Sequence, residues 1–215
     1  MGLFKDFVSQ TRKPEGVLGK MMLGGMNSGH AKMADWGFDH LPAIAPAKAV
    51  DLGCGGGRNA GELLKKYPKA HVTAVDYSEL SVEKARAYNR EMIAAGRCLV
   101  QQGDVSDLRL SAASYDLATA FETIYFWPGL EKCFGQVAKV LKPGGYFLIC
   151  NESDGTDATG LKYEKIIEGM PVVSSSVGVT PAAFAAASTG LTFVAPMAVK
   201  SFAKGFVSDP SRSIN

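Results

Sequence analysis

The residues best suited to chemistry in this chain lie in and around a glycine loop at positions 53–57. Glycine occupies positions 53, 55, 56 and 57, after the apolar run 49–52 and before a helix-like segment at 60–66. A strand, a glycine loop and a helix in this order bring the backbone close to a nucleotide-like ligand. Glycine suits such a loop because a Cβ would block the approach and because some of its turns need positive φ. The loop therefore predicts a bound cofactor and leaves its identity open.

Acidic side chains follow the predicted strands where such a ligand would extend. Asp51 directly precedes the loop, and Asp76 ends the next strand, where a carboxylate can accept hydrogen bonds from ribose hydroxyls. Asp104 follows the third strand and can accept a hydrogen bond from an exocyclic amine, as on adenine. Glu122 follows the fourth strand. Because the carboxyl ends of parallel strands share one edge, we expect these side chains to converge on one crevice.

The same loop also satisfies a dinucleotide-binding pattern in one register, since residues 55–60 read G-x-G-x-x-A. Three features argue against a dinucleotide. Asp51 occupies a strand position that is normally apolar in those sites, and counting from Gly53 puts Arg58 at the third position of the pattern. Asp104, in addition, has no role in a dinucleotide site. The sequence therefore favours another nucleotide-like cofactor.

Alternating strands and helices position these groups from residue 48 onward. The hydrophobic patterns predict strands at 48–52, 71–76, 98–102, 115–120 and 145–151, and helices at 58–66, 79–95 and 129–140. Ser78 is expected to cap the second of these helices and Gly96 to end it. The residues from Lys142 to Gly145 are expected to form a turn before the fifth strand. This alternation predicts an α/β fold with a doubly wound, mostly parallel sheet and helices on both faces.

The two ends of the chain read differently from this core. Residues 1–45 show helical spacing and no strand signal, with a short helix predicted at 31–41. The tail predicts a helix at 182–189 and closing strands at 191–199 and 202–207. We interpret residues 1–215 as one domain, with a helical N-terminal cap (1–45), a cofactor-binding core (46–152) and a C-terminal substrate-side segment (153–215).

Composition narrows the classes of partner. The 215 residues carry a formal net charge of +2 and 47% hydrophobic residues, so bulk charge indicates neither a nucleic-acid nor a membrane partner. The four cysteines lack metal-knuckle or redox spacing, and we expect them to be reduced and structural. No metal site is predicted. The absence of a signal peptide or spanning segment gives a cytoplasmic location as the expectation.

Taken together, these motifs resemble the class I S-adenosylmethionine-dependent methyltransferases, in the small-molecule branch often labelled type 11. The resemblance covers residues 15 to about 152 and rests on the runs 51–57, 75–78, 103–105 and 141–145. It implies S-adenosyl-L-methionine as the cofactor, a Rossmann-like sheet of seven strands with the last antiparallel, and an N-terminal segment that folds over the cofactor.

Carried over position by position, the resemblance implies specific roles. The glycine loop would contact the methionine part, Asp51 would help to hold its amino group, and Asp76 would take the ribose hydroxyls. Tyr77 would lie against the adenine, and the Asp104 carboxylate would accept a hydrogen bond from the adenine amine. The implied cofactor site comprises Asp51, Gly53, Cys54, Gly55, Gly57, Asp76, Tyr77, Ser78, Gly103, Asp104, Val105 and Glu122.

The reaction implied is direct in-line transfer of a methyl group to a small-molecule acceptor, with oxygen, nitrogen, sulfur and carbon acceptors and the oligomeric state left open. Proposed catalytic residues are His30, Glu122 and Tyr125, any of which could serve as a general base. For Glu122, contact with the methionine end of the cofactor is the preferred alternative. Residues 125–127 are aromatic and are expected to shape the acceptor pocket, with a core position as the equal alternative for Phe126. A noncatalytic cofactor-binding protein and an NAD(P)-dependent reductase are the competing hypotheses.

Overall fold

The computed structural model describes residues 30–150 and the backbone of residues 192–194. Within this part of the chain, helices and strands alternate. The elements are α1 (Ala31–Asp39), β1 (Lys48–Leu52), α2 (Arg58–Lys66), β2 (His71–Asp76), α3 (Glu79–Tyr88), α4 (Arg90–Ala94), β3 (Cys98–Gln102), β4 (Tyr115–Phe121), α5 (Leu130–Val140), β5 (Leu141–Cys150) and β6 (Thr192–Val194). Two 3-10 turns, Val105–Asp107 and Ile124–Phe126, flank β4.

The strands form one parallel sheet in the order β3-β2-β1-β4-β5-β6. The strand order reverses between β1 and β4. β2 and β3 lie in turn on one side of β1, whereas β4, β5 and β6 lie in turn on its other side. Ligands of such sheets bind beyond the carboxyl ends of the strands at this point. The predicted doubly wound sheet is therefore confirmed. The described residues contribute six strands, and the closing strand predicted at 202–207 lies outside them, as do the helix at 182–189 and most of the cap.

Both faces of the sheet are buried under helices. Val50 and Leu52 of β1 point to the face that packs against α5. Ala49, on the opposite face, packs in a cluster with α1, α2 and α3. This alternation explains why the strands read as continuous apolar runs, because a parallel sheet covered on both sides has no solvent face.

The helix predicted over 79–95 is instead two helices. Ser78 caps α3 as predicted, its hydroxyl accepting from the Ser81 amide at 3.4 Å. Asn89 breaks the helix with φ −101° and ψ 18°, and its buried amide donates to the carbonyls of Gly57 and Ala85 at 2.9 and 3.0 Å. A contact with the glycine loop, rather than a local breaker such as proline, thus divides this segment.

The turn predicted before the fifth strand is an irregularity inside β5. Leu141 pairs with Tyr115 and Tyr146 pairs with Leu117, so residues 142–145 stand opposite Asp116 alone. The Lys142 ammonium contacts the Asp116 carboxylate at 2.6 Å, and the amides of Ala47 and Lys48 also donate to it. Strand pairing therefore begins earlier than predicted, because Leu141 is already held by β4 before the chain bends.

Helix α1 is slightly shorter than predicted. Helix α1 ends at Asp39, two residues before its predicted end, where the His40 ring nitrogen lies 2.8 Å from the Trp36 carbonyl.

Among the residues that the structure describes, none of the helices combines the length and apolar character needed to cross a bilayer.

Gly57→Ala tests the close packing of α2 against α3. A Cβ at Gly57 would lie 2.7 Å from the Ala85 Cα, and φ there is +83°. Gly96→Ala is the matched control, because φ is +71° but nothing lies within 4 Å of the added atom. We expect Gly96→Ala to lower the free energy of unfolding by about 1–2 kcal/mol, and Gly57→Ala by about 1–3 kcal/mol more. Urea denaturation measures both, and equal losses would contradict the packing argument.

Candidate active site

The loop after β1 is tied to the neighbouring strand β2. The amides of Gly53 and Cys54 both donate to the Val75 carbonyl, at 2.8 and 3.0 Å. φ is +73° at Gly53, +51° at Gly55 and +83° at Gly57, which is the left-handed region that favours glycine. Positive φ at these three positions agrees with the predicted register, in which Gly53 begins the pattern.

Gly53 also brings the loop against the turn that follows β4. A Cβ placed on Gly53 would collide with the Thr123 side chain, above all with its hydroxyl oxygen. Thr123 is itself buried, and its hydroxyl accepts a hydrogen bond from the Trp127 indole at 3.2 Å. The loops after β1 and β4 therefore meet at the point where the strand order reverses, which is the crevice predicted from the sequence.

Asp51 is the most deeply buried carboxylate at this crevice, with 2% of its surface exposed. The Thr119 hydroxyl donates to its Oδ1 at 2.8 Å, whereas Oδ2 is buried and has no hydrogen-bond partner. Burial raises the pKa of Asp51 to about 7, the Thr119 hydrogen bond opposes that increase, and the Asp76 carboxylate adds to it. A buried oxygen without a partner is costly, so this atom marks a place for a hydrogen-bond donor or a cation.

Asp76, at the end of β2, holds the glycine loop. The Gly55 amide donates to its Oδ2 at 2.8 Å, and the Ser78 amide donates to its Oδ1 at 2.9 Å. Burial raises the pKa of Asp76, and these two hydrogen bonds together with one from the Ser81 side chain limit the increase. Three of the four acceptor sites of the carboxylate are therefore used, and one is left for a further donor. Its sequence-predicted role with the ribose hydroxyls therefore stays a prediction, while its role in fixing the loop is observed.

A cavity of about 320 Å³ opens beyond the ends of β2 and β3. Its wall includes Val75, Tyr77, Gln101, Gln102, Gly103, Asp104, Asp107, Leu108 and Arg109. Tyr77 is 57% exposed, and the Asp104 Oδ1 accepts from the Ser106 amide at 2.7 Å. Val105 is buried in the core between these elements. The structure thus brings Tyr77, Gly103 and Asp104 together, and places Val105 beneath them.

His30 and Glu122 meet at the mouth of the crevice. Glu122 follows β4, and its amide donates to the Cys150 carbonyl at 2.9 Å. His30 immediately precedes α1, and its Nδ1 lies 4.0 Å from the Glu122 Oε2, with side-chain exposures of 31% and 12%. Glu122 adopts φ +52°, an unusual value for a residue with a side chain. Backbone strain of this kind clusters at functional sites.

The aromatic run 125–127 divides between core and turn. Tyr125 lies in the turn Ile124–Phe126, and its side chain lies outside the described part of the structure. Trp127 is 3% exposed and packs with Phe134 and Phe147. The expectation that Trp127 lines the acceptor pocket is therefore wrong, because its ring is buried in the core. A role for Tyr125 stays a prediction.

Sequence reasoning missed the residues that support the site from below. Thr119 and Thr123 are interior positions whose value comes from contacts with Asp51 and Gly53, and no spacing in the sequence signals them. The Arg58 guanidinium contacts the Asp35 carboxylate at 2.6 Å, joining α1 to the start of α2. An opposite-charge pair of this kind is too common in sequences to be a signal by itself.

The cysteines do not contribute a reactive group. All four are buried and free, as predicted. Cys54 lies in the glycine loop, where burial and the neighbouring Asp76 and Asp51 raise the pKa of its thiol. A high pKa suppresses the thiolate, which is the nucleophilic form. Within the described ranges, His, Cys, Asp and Glu side chains form no group of three that could hold a metal ion.

Comparisons with known proteins define the class. A sequence profile of the methyltransferase domain matches residues 46–176, more than half of the chain. The chain belongs to this family, which confirms the predicted class of S-adenosylmethionine-dependent methyltransferase. The match begins at the residue where the predicted core begins.

Individual relatives extend this result. A sterol methyltransferase-like protein of Botryococcus braunii is 30% identical over 134 residues, which are 61% of this chain and 34% of that protein. A chain from the Haloferax volcanii complex of the Trm112 activator with a methyltransferase superposes with TM-score 0.65 and 24% identity, over 77% of this chain and 71% of that one. Geranyl diphosphate C-methyltransferase of Streptomyces coelicolor, solved with S-adenosyl-L-homocysteine, gives TM-score 0.59 and 16% identity over 74% and 59%.

The solved structures and the curated relatives support different conclusions. The solved structures share the fold of this chain. The chain spans about a third of the length of the curated relatives it matches. S-adenosyl-L-methionine, predicted as the cofactor, is the cofactor of the class to which the chain belongs.

Asp51→Asn tests the buried carboxyl through the pH dependence of stability. Because the folded pKa of about 7 lies above the ordinary value of 3.8, the folded state binds more protons than the unfolded state between these limits. Wild-type stability should therefore fall as the pH rises from 4 through 7. Relative to wild type, Asp51→Asn should gain about 2–3 kcal/mol between pH 5 and pH 8.

Urea denaturation of both chains at several pH values measures this gain. The difference between the two chains cancels the titration of groups that they share, including Asp76. A difference that stays constant with pH would show that Asp51 is ionised in the folded protein throughout this range.

Proposed function

We propose that this chain binds S-adenosyl-L-methionine at the crevice between β1 and β4 and transfers the methyl group to a small-molecule acceptor. The observation that carries the proposal is the buried Asp51 Oδ2, which lacks a partner directly beneath a glycine loop at the point where the strand order reverses. The methionine end of this cofactor carries an ammonium group, which supplies both the hydrogen-bond donors and the positive charge that Oδ2 lacks.

The remaining residues fit the other parts of the cofactor. Asp76 has an acceptor site left for the ribose hydroxyls, while its contacts with Gly55, Ser78 and Ser81 keep the carboxylate in place. Tyr77 presents an exposed ring beside the cavity, and Asp104, next to Gly103, offers Oδ2 to the adenine amine. The loop that would lie against the methionine part comprises Gly53, Cys54, Gly55 and Gly57. The buried residues Ser78 and Val105 would support the neighbouring Tyr77 and Asp104 from the protein interior.

The bound cofactor supplies a sulfonium group whose methyl carbon is electrophilic. The protein then has to align the acceptor and exclude water, and such alignment can contribute about 7–11 kcal/mol. No covalent intermediate with the protein is needed.

His30 and Glu122 are proposed to act together in removing a proton from the acceptor. His30 accepts the proton, and the Glu122 carboxylate, 4.0 Å away, stabilises the cation that forms. Glu122 also lies next to Thr123, which touches the loop at Gly53, so it can contact the methionine end as well. The sequence offered two alternatives for Glu122, the general base itself or a contact for the methionine end. With His30 as the base, the contact with the methionine end remains open to Glu122.

A small acceptor is favoured over a nucleic acid. The net charge of +2 provides no strong field for a polyanion. The named relatives include enzymes of sterols and of geranyl diphosphate, which are small molecules.

Thermal shift with S-adenosylhomocysteine and with NAD tests cofactor binding. S-adenosylhomocysteine at a hundredfold its Kd should stabilise the protein by about 2.7 kcal/mol, whereas NAD should have no effect. Asp76→Asn should reduce the shift, because an amide cannot replace both acceptor oxygens. Asp39→Asn is the control, since this exposed carboxylate lies at the end of α1. Stabilisation by NAD alone would refute the proposed function.

His30→Gln tests the proposed base. With an acceptor identified from a small-molecule panel and radiolabelled S-adenosylmethionine, kcat should fall about 10²–10⁴-fold. The Kd for S-adenosylhomocysteine should stay within about twofold, because the base is not proposed to hold the cofactor. His71→Gln is the control, since His71 begins β2 at the opposite edge of the sheet. An unchanged kcat in His30→Gln would remove His30 from the mechanism.

A further inference from the structure

We propose that Asp51 exchanges a proton for the cofactor: the free protein holds Asp51 as the neutral acid, and binding of the methionine ammonium expels that proton to solvent. This inference rests on the proposed function, because it needs a ligand that carries an ammonium group into the crevice between β1 and β4. It adds a measurable property to that site, namely that cofactor affinity depends on pH through a group at the centre of the sheet.

The position of Asp51 makes its ionised form hard to sustain alone. It lies in β1 between Ala74 of β2 and Thr119 of β4, in the middle of the sheet. Its carboxyl group receives a single hydrogen bond, from the Thr119 hydroxyl to Oδ1. Carboxylates that stay ionised when buried accept two or three hydrogen bonds or face a cation. Asp51 has one hydrogen bond, and its Oδ2 has no partner at all.

Among the residues that the structure describes, the groups that face Asp51 supply no positive charge. On β4 the neighbour is the Thr119 hydroxyl, and on β2 it is the Asp76 carboxylate, which repels a second negative charge. The Cys54 thiol of the glycine loop and the Cys98 thiol of β3 also interact with Asp51. All of these groups are neutral or negative, so burial and the Asp76 carboxylate oppose ionisation of Asp51 and no neighbouring cation offsets them.

Asp116 shows the opposite arrangement in the same sheet. This carboxylate accepts hydrogen bonds from the amides of Ala47 and Lys48 and from the Lys142 ammonium. Partial burial alone would raise the pKa of Asp116, but these donors outweigh it and the pKa is lowered. The contrast indicates that a carboxylate can stay ionised in this sheet when it has hydrogen-bond donors and a cation beside it. Asp51 lacks the cation and enough donors, and a ligand ammonium would supply a positive charge and further donors.

The exchange balances in charge and in protons. Before binding, the site holds a neutral carboxyl group and the ligand carries its ammonium. After binding, a carboxylate lies against the ammonium, and one proton has passed to the buffer. No other bond forms or breaks. Ligands that lack the ammonium should leave the proton on Asp51.

The expected signal follows from the pKa of Asp51 of about 7. S-adenosylhomocysteine should release about 0.9 proton at pH 6. The Kd should weaken about tenfold for each pH unit below 7 and should be constant above about pH 7.5. 5′-Methylthioadenosine, which keeps the adenosine and the sulfur but has no amino acid, should release none and bind with a Kd that is constant between pH 5.5 and 7.5.

Isothermal titration calorimetry in two buffers of different ionisation enthalpy measures this proton directly. Asp51→Asn should abolish the release with S-adenosylhomocysteine and leave the Kd for 5′-methylthioadenosine within about twofold. Thr119→Val should move the midpoint of the release to higher pH, because it removes the hydrogen bond that favours the ionised form. This second variant keeps the test available if Asp51→Asn does not fold. His30→Gln, at the mouth of the crevice, should retain the release.

The outcomes separate the two proposals. S-adenosylhomocysteine that binds without releasing a proton overturns the exchange and leaves the proposed function standing. A release that is lost in His30→Gln and kept in Asp51→Asn overturns it as well, because the proton then belongs to the histidine. If neither S-adenosylhomocysteine nor 5′-methylthioadenosine binds, the proposed function fails and the exchange fails with it.

Discussion

The contact between Gly53 and Thr123 is the constraint on which the rest of the site depends. The chain leaves β1 in the middle of the sheet and must turn with β2 on one side and the loop after β4 on the other. The Val75 carbonyl holds two successive amides of the loop, and the Thr123 side chain fills the space that a Cβ at position 53 would need. Only a glycine can make this turn, and the backbone therefore reaches the carboxyl edge of the sheet with no side chain in front of it.

That turn also determines the electrostatics beneath it. By closing over the end of β1, the loop buries Asp51 next to Thr119 and within reach of the Asp76 charge. Asp76 in turn uses both carboxylate oxygens to hold the loop amides at Gly55 and Ser78. The two carboxyl groups therefore have different tasks, since Asp76 maintains the loop whereas one oxygen of Asp51 has no hydrogen-bond partner. The buried, incompletely hydrogen-bonded carboxyl group of Asp51 lowers the stability of the fold, and such groups cluster at ligand sites.

The helices that surround this edge are coupled to the loop by side chains distant in sequence. Asn89 connects the end of α3 to the Gly57 carbonyl, and Arg58 connects the start of α2 to Asp35 on α1. The segment α1 carries His30 at its beginning, so its docking also positions His30 near Glu122. The proposed cofactor and acceptor sides of the crevice thus share one set of supporting contacts around the glycine loop.

The sequence by itself determined the alternation of strands and helices, the glycine register and the carboxylates at the strand ends, because each depends on local pattern. The strands β1, β2 and β3 occupy their predicted residues, since apolar runs bounded by turn residues leave little freedom. Tertiary structure alone decided the break at Asn89, the early pairing of Leu141 with Tyr115, and the burial of Trp127. It also decided that Asp51 lacks a second hydrogen bond. These features depend on which atoms from distant parts of the chain meet, and hydrogen bonding and burial across strands leave no periodic trace in the sequence.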